Sequence, residues 1–493
     1  MKFQYLSFFV CIFLSCISNI QLGAQINNAK FLTLDELKSD FDVLRKSLEE
    51  AHGGLYRFSN KDTLNWHFDN YRKKLNNVKN QLEFITILSE MLSEIRDGHM
   101  NLEYDEATRT SLAQARLFPF RVAIEGRRLK VMYNDTPNDS TILPGMEILS
   151  INGQKSLDLI QLILPKMSGD GYIETGKMRR LERNFGQNYW LFVDQSADFI
   201  VTATDAWGKI KTTKLVGVPN AERINNRNTN SVNKQILSNV TKLEGPKENI
   251  SLQFVNGLGI ASLRIRLFDG QNFLAEIDSA FRTLNEKKSK ALILDLRGNG
   301  GGVDTYGASL VSYFTNKPFR YFDRIHLKTI SPSFATWKPG TFEDLRNSVV
   351  PDPNGGYLVT TKLHTGISQQ NPATKPFLGK VFVLLDGGTF STAADVTAIL
   401  RNLSDAVFIG EESGGTYEGN TSGLNALIKL PNSKLSLKIH MYGYWNAVSQ
   451  LAKGRGTLPN YFVEKRIIDL LKGNDMQLSR AIELATVRTT ALR

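Results

Sequence analysis

Ala291-Leu-Ile-Leu-Asp-Leu-Arg-Gly-Asn-Gly-Gly-Gly302 is the stretch on which the reading of this chain turns. Its first half is an aliphatic run that reads as a buried strand, and it breaks at Arg297-Gly298-Asn299 into three consecutive glycines. Such a break exposes backbone N–H groups with no side chains in front of them, which suits a negative charge. That charge is either a nucleotide phosphate or the oxyanion of a tetrahedral acyl intermediate. A tight strand-to-helix turn without chemistry is the plainer alternative.

The nucleotide readings fail on spacing. A dinucleotide site wants G-x-G-x-x-G opening a helix, and here Gly298-Asn-Gly300-Gly-Gly302 runs into Val303, so the third glycine is displaced. A P-loop wants a lysine directly after its last glycine, and none follows before Lys317.

With 493 residues the chain has material for two to four domains of ~100–200 residues each. Hydrophobic content of 41% and charged content of 22% suit a globular protein, so neither disorder nor a membrane bundle is indicated. Met1-Lys2, an apolar run from Tyr5 to Ile20 and Gln21-Leu-Gly-Ala24 read as a signal peptide over residues 1–24, which predicts an exported, periplasmic or envelope-associated protein. Leu14-Ser15-Cys16 loosely resembles a lipobox, but Phe13 fits it poorly, so cleavage after Ala24 is favoured. Both cysteines, Cys11 and Cys16, lie in that segment, which excludes disulfides and thiolate chemistry from the mature chain. No later apolar run reaches the ~18 residues that span a bilayer, which leaves surface attachment by other means open. The formal charge of +11 is scattered among acids, as in Glu286-Lys-Lys-Ser-Lys290, so no nucleic-acid groove is expected.

Outward from the glycines, periodicity divides the chain. Residues 25–105 predict a helical domain: Thr33-x-x-Glu36 forms a capping box before Leu37, Phe41, Leu44 and Leu48, and a second amphipathic run ends at Gly98, read as a helix cap. Residues 106–230 predict a β-rich module, with Phe118-x-Phe120-x-Val122 alternating and an Asn152-Gly153 turn. The segment 230–248, rich in Asn, Ser and Lys, reads as a linker. Residues 231–493 then give strand–helix–strand units: strand 259–265, helix 271–287, strand 291–296, a second strand 380–385, and a helix from Thr392 to about Leu403 leading into strand 406–409.

Ser391 stands at a strand-to-helix junction after Gly387-Gly388, where free N–H groups favour a developing negative charge. Serine is equally a common N-cap, and Thr392-x-x-Asp395 can itself form a capping box. A serine nucleophile needs a base. His67, His326 and His364 lie in polar segments and read as surface residues. His440 reads as lining a sheet face and His52 as structural, while His99 in Asp97-Gly98-His99 is presented on a turn. Scattered histidines and no thiols offer no metal cluster, and no organic cofactor is indicated.

Taken together these segments resemble the C-terminal processing, or tail-specific, serine protease family. Asp295-Leu-Arg-Gly-Asn-Gly-Gly-Gly302 is similar to its D-L-R-x-N-x-G-G, Thr389-Phe-Ser391 with Ala-Ala-Asp395 to its T-x-S-A-A-E, Ile409-Gly-Glu-Glu-Ser-Gly-Gly415 to its I-G-E-x-T-x-G, and Gly456-Thr-Leu-Pro-Asn460 to its G-v-x-P-D. Gly145-Met-Glu-Ile-Leu-Ser-Ile-Asn-Gly153 resembles a PDZ signature. The resemblance implies an α/β fold: a crotonase/ClpP-like βαβ catalytic core with an N-terminal helical bundle and a PDZ-like module over 106–230. It implies Ser391 as nucleophile, with the N–H groups of Gly301 and Thr392 forming the oxyanion hole; Gly300 is set aside because the family tolerates proline there. The lysine base of one branch is missing, since Thr416-Tyr417 stands in its place, and His99 matches the histidine of the tricorn-type branch.

The chain departs from the pattern at three points. Ser391 precedes Asp395 by four positions rather than three, which leaves Thr392 as a rival nucleophile. Gly98 replaces the serine before the histidine. Lys453 occupies the place of the glutamate expected before Gly456, so Asp97, Glu411 and Glu412 are the candidates for orienting His99. The implied activity is that of an exported serine endopeptidase acting on peptides or unfolded proteins, with the PDZ-like module capturing an extended peptide by strand addition. A non-catalytic peptide- or ligand-binding protein on the same scaffold, and a hydrolase of small acyl substrates, are the rival readings.

Overall fold

The computed structural model describes residues 32–490 apart from 256, 336–340 and 450–451. The expected signal segment and both cysteines lie outside the described residues. Thr33 caps the first helix as its spacing from Glu36 predicts, each residue's side chain meeting the other's backbone N–H. Helices α1 (Leu34–Ala51), α2 (Lys61–Lys74) and α3 (Gln81–Glu94) follow, and Leu37, Phe41, Leu44 and Leu48 form the buried stripe of α1. Helix α3 ends earlier than Gly98: the left-handed residue that turns the chain is Arg96, at φ 63°.

A sheet of antiparallel strands comes next: β1 (Phe120–Glu125), β2 (Arg128–Asn134), β3 (Glu147–Ile151), β4 (Asp198–Thr204) and β5 (Ile210–Val216), in spatial order β1-β2-β3-β4-β5. Asn152 and Gly153, both at positive φ, make the tight turn between β3 and the short strand 154–155. Helices α4 (Ser156–Ile163) and α5 (Glu174–Phe192) pack on this sheet, which has an apolar core of its own around Phe118, Phe120, Phe185 and Phe199. Strand addition at β1 meets an obstacle. The Ile124 N–H donates to Glu182 of α5, the Gly126 N–H to Glu464, and the Phe120 carbonyl accepts from Arg223. A peptide strand could add there only by displacing these side chains.

The expected linker 230–248 contains a helix, residues 234–244, and its polar residues have structural work. Buried Asn233 brackets Asn134 of β2, its Oδ1 accepting from the Asn134 N–H at 2.9 Å and its Nδ2 donating to the Asn134 carbonyl at 2.7 Å. Composition alone does not separate such a polar network from a solvated tether.

The catalytic-type core is an α/β sheet. Strands β6 (Ile250–Val255) and β7 (Ile260–Ile265) pair antiparallel; helix α6 (Phe273–Glu286) then returns the chain to β8 (Ala291–Asp295), parallel to β7. Helix α7 (Asp304–Ser312) follows the glycines, and β9 (Phe322–Leu327) leaves for another sheet. Strand β10 (Lys380–Leu385) lies parallel beside β8, helix α8 (Thr392–Leu403) follows it, and β11 (Val407–Gly410) is next. The long hairpin β12 (Thr421–Lys429) and β13 (Ser436–Asn446) pairs with β9, and β14 (Tyr461–Phe462) closes the edge beside β11. The core order is therefore β6-β7-β8-β10-β11-β14. Helices α1–α3, one face of this sheet, β9 and the β12–β13 hairpin share one continuous apolar cluster, so the N-terminal helices are fixed relative to the βα loops.

Candidate active site

Parallel strands present their following loops at one end of a sheet, and the loops after β8 and β10 meet there. They are latched together. The Asp386 carboxylate accepts from the N–H groups of Gly298 and Gly388 at 2.8 and 2.9 Å. The Thr389 hydroxyl donates to the Leu296 carbonyl, and the Phe390 N–H to the Asn299 carbonyl. Ser391 is then forced into φ 52°, ψ −132°, a strained backbone for a residue with a Cβ.

The two candidate hydroxyls have different surroundings. Thr392 is fully buried, and its Oγ1 lies 2.8 Å from the Gly302 carbonyl and 3.1 Å from Asp304 Oδ1. Ser391 is half-buried, makes no hydrogen bond through Oγ among the described residues, and lines an open cavity of about 480 Å³. His99, Gly300, Gly302, Asp304 and His364 line the same cavity. Asp395, four positions on, is buried between the side-chain amides of Asn420 and Asn446, and burial holds its carboxyl well above the usual carboxylate range.

The expectation for Gly301 needs correction. Its N–H donates to Asn299 Oδ1 at 2.9 Å and is therefore already committed. Gly301 is needed for space: at φ 100°, an added Cβ would stand 2.6 Å from the Ser391 Cβ and 2.9 Å from the Thr392 nitrogen. Among the described residues, the N–H groups of Gly300, Gly302 and Thr392 have no acceptor. Gly300 and Gly302 are exposed and line the cavity, whereas Gly301 is buried.

His99 reaches the site from the turn after α3. Its ring packs on Phe390 with centroids 4.5 Å apart, and Phe390 is also covered by the Arg180 guanidinium. Burial pushes the His99 imidazole down to about 4, against the opposing pull of Asp97. Gly98 replaces a serine for a visible reason: an added Cβ would meet the Phe390 ring and Asp170 Oδ1 at 2.9 Å.

Of the three acids considered for orienting His99, only Asp97 is near it. One Asp97 oxygen accepts the His99 N–H at 2.8 Å and lies 3.8 Å from His99 Nδ1; the other accepts from His52 Nε2 at 2.8 Å. Glu411 is instead paired with Arg179 and Glu412 with Arg455, each through two oxygens, so neither is available. Burial raises Asp97, and the His52 hydrogen bond together with the charges of His52 and His99 more than offsets it, holding the carboxyl below its usual range. Burial and the charge of Asp97 push the neighbouring Asp170 upward instead. Among the described residues, His99 Nδ1 and Asp170 Oδ2 are buried without a hydrogen-bond partner, and Asp97, His99 and Asp170 each offer a ligand atom within 4.8 Å of the others. A cluster thus exists where the sequence offered none, because the turn after α3 and the turn before α5 converge. His52 was read as structural and Asp170 was not singled out in the sequence; the Gly54 N–H donates to His52 Nδ1 within His52-Gly-Gly54. His364, expected at the surface, lies by the cavity with Nε2 3.2 Å from Asp304. His440 Nε2 meets the His99 carbonyl at 3.2 Å.

Comparison with known proteins bears on this arrangement. Residues 259–463 match the sequence model of peptidase family S41. That segment belongs to the family. The S41 segment contains the glycine loop and Ser391 but not His99. Residues 259–463 therefore carry a serine-type peptidase core, and that family implies peptide or protein substrates. None of the curated proteins compared matches the chain. Among solved structures, it is similar to mature CPAF, at 13% identity and TM-score 0.63, over 91% of this chain and 96% of that one. Mature CPAF complexed with lactacystin gives 14% identity and TM-score 0.64, over 92% and 98%. These likenesses extend the shared fold across the S41 segment and the parts that precede it.

Proposed function

We propose that this protein is an exported serine endopeptidase in which Ser391 attacks the peptide carbonyl and His99 takes its proton. The observation that carries the reading is the free Ser391 hydroxyl, held at a strained strand-to-helix turn in one cavity with His99 and with uncommitted backbone N–H groups. A neutral imidazole is the form a general base needs, and burial keeps His99 neutral down to about pH 4. Asp97, itself held by His52, supports the charge that His99 acquires during proton transfer. Thr392 N–H and the exposed N–H groups of Gly300 and Gly302 would receive the oxyanion, each donor being worth roughly 3–4 kcal/mol in comparable hydrolases. His99 then returns its proton to the leaving amine, and water repeats the cycle on the acyl-enzyme. Export rests on the sequence of residues 1–24.

A fluorophosphonate probe tests the assignment. Covalent labelling mapped to Ser391, lost in Ser391→Ala and retained in Thr392→Ser, together with cleavage of unfolded casein, is the expected result. Absence of labelling would favour a binding protein on this scaffold, and labelling without proteolysis would favour a small acyl substrate.

A further inference from the structure

The cavity that holds Ser391 also holds a histidine–carboxylate pair for which the catalytic cycle has no use. Asp304 opens α7 just after the glycines, and one of its oxygens accepts from His364 Nε2 at 3.2 Å. The Gly366 N–H donates to His364 Nδ1 at 3.1 Å, which leaves the ring proton on Nε2 and makes His364 a neutral donor. The other Asp304 oxygen lies 3.1 Å from Thr392 Oγ1, on the residue that follows Ser391. Among the described residues, His364 is the only basic side chain in ion-pair contact with Asp304. No lysine or arginine lines the cavity, and Asp304 is its one carboxylate. The nearby guanidinium groups are engaged outside it. Arg57 donates to the Tyr444 carbonyl and lies over the Trp445 ring, its charge met first by Glu418. Arg180 covers Phe390, its charge met by Asp170 and Asp97. Burial first and the charge of Asp304 second push the Tyr444 hydroxyl well above its usual range, so the tyrosine adds no charge to this wall.

We propose that Asp304 is a specificity-determining residue and that the protein prefers substrates with a lysine or arginine side chain adjoining the scissile bond. The inference rests on the reading of Ser391 as the nucleophile of a peptidase. The Asp304 side chain is 20% exposed, and each carboxylate oxygen keeps a lone pair beyond the one that His364 or Thr392 occupies, so a cation can join them without displacing either. A partly desolvated carboxylate on a wall without a lysine or arginine favours an incoming positive charge and repels an acidic side chain. Its place follows from Thr392, which ties Asp304 to the residue directly after the nucleophile. Val303, exposed on the same cavity wall, gives the aliphatic stem of such a side chain an apolar surface to lie against.

The test gives the whole mature chain two peptides, blocked at both ends, that differ only in carrying arginine or citrulline, which keeps the shape of the side chain and removes its charge. Cleavage should fall next to arginine with kcat/KM at least tenfold above that of the citrulline peptide, and the ratio should shrink as NaCl is raised from about 0.05 to about 1 M. Asp304→Asn should bring the ratio within twofold. His364→Gln, which keeps the carboxylate, should retain the preference for arginine. A parent ratio within twofold, or a tenfold ratio that survives Asp304→Asn, would overturn the proposal. Cleavage of neither peptide would count against the peptidase reading instead. The preference is then read from calorimetric binding to Ser391→Ala, where the arginine peptide should bind at least tenfold tighter and equal affinities would overturn the proposal.

Discussion

Ser391 sits at φ 52°, ψ −132°, a conformation that costs on the order of 1–3 kcal/mol for a residue with a Cβ. Ser391→Ala keeps the Cβ and should lower kcat by about 10⁴-fold or more with little change in unfolding free energy. Ser391→Gly, equally inactive, should be about 1 kcal/mol more stable than Ser391→Ala in urea denaturation, because only glycine relieves the strain. Equal stabilities would mean that the turn is unstrained. Gly301→Ala should be destabilised by about 2–4 kcal/mol in the same measurement and should lose activity, since its methyl group would collide with Ser391 at a left-handed φ. Ser391 stood out as a candidate because a serine at a strand-to-helix junction after two glycines leaves a local signature in the chain. The state of the Gly301 N–H was not legible: the Asn299 side chain captures it, and nothing in the glycine run announces that. Glu411 and Glu412 misled for a similar reason, since their partners Arg179 and Arg455 lie far away in sequence.

At the level of elements, the position of His99 depends on how α1–α3 dock on the β12–β13 hairpin. Asp40 on the buried face of α1 accepts from the Asn432 N–H and amide, each at 2.9 Å, and from the Ser433 N–H at 2.7 Å, which pins the hairpin turn. Strand β13 then carries His440 to the His99 carbonyl. Asp40→Ala removes the acceptor of the buried Ser433 N–H and of two half-buried Asn432 donors and should cost about 2 kcal/mol by chemical denaturation, with Asp40→Asn losing less. A cost within experimental error would show that the apolar cluster alone holds α1. Helix α1 itself was plain in the sequence, because a capping box and a stripe of three leucines and Phe41 are local patterns. Its docking was not, since the Asp40 contact spans almost four hundred residues. Gly98 shows the same limit: it was read as a helix cap, but its missing Cβ makes room for Phe390 and Asp170.

Across the whole molecule, two buried groups give pH dependence of opposite sign. His99 has a folded value near 4, below the ~6.5 of an unfolded histidine, so between these values the unfolded chain binds the extra proton. Its contribution is therefore present above about pH 6.5 and is lost as pH falls through 4, on the order of 3 kcal/mol in all. Asp170 is raised, by burial first and by Asp97 second, so its folded form keeps a proton that the unfolded chain has released. Stability from that group is present below the ordinary carboxylate range and is lost as pH rises through the raised value. Urea melts of Ser391→Ala with and without His99→Gln should converge toward pH 4 and differ most above pH 6.5, while Asp170→Asn should remove the opposing loss of stability between about pH 4 and about 7. In the active enzyme the same neutral His99 should keep kcat/KM nearly constant from pH 8 to 5.5, with an acid limb near 4. An acid limb centred near 6.5 would mean that the working base is solvated, and would remove the reason for burying His99 between Phe390 and Asp97.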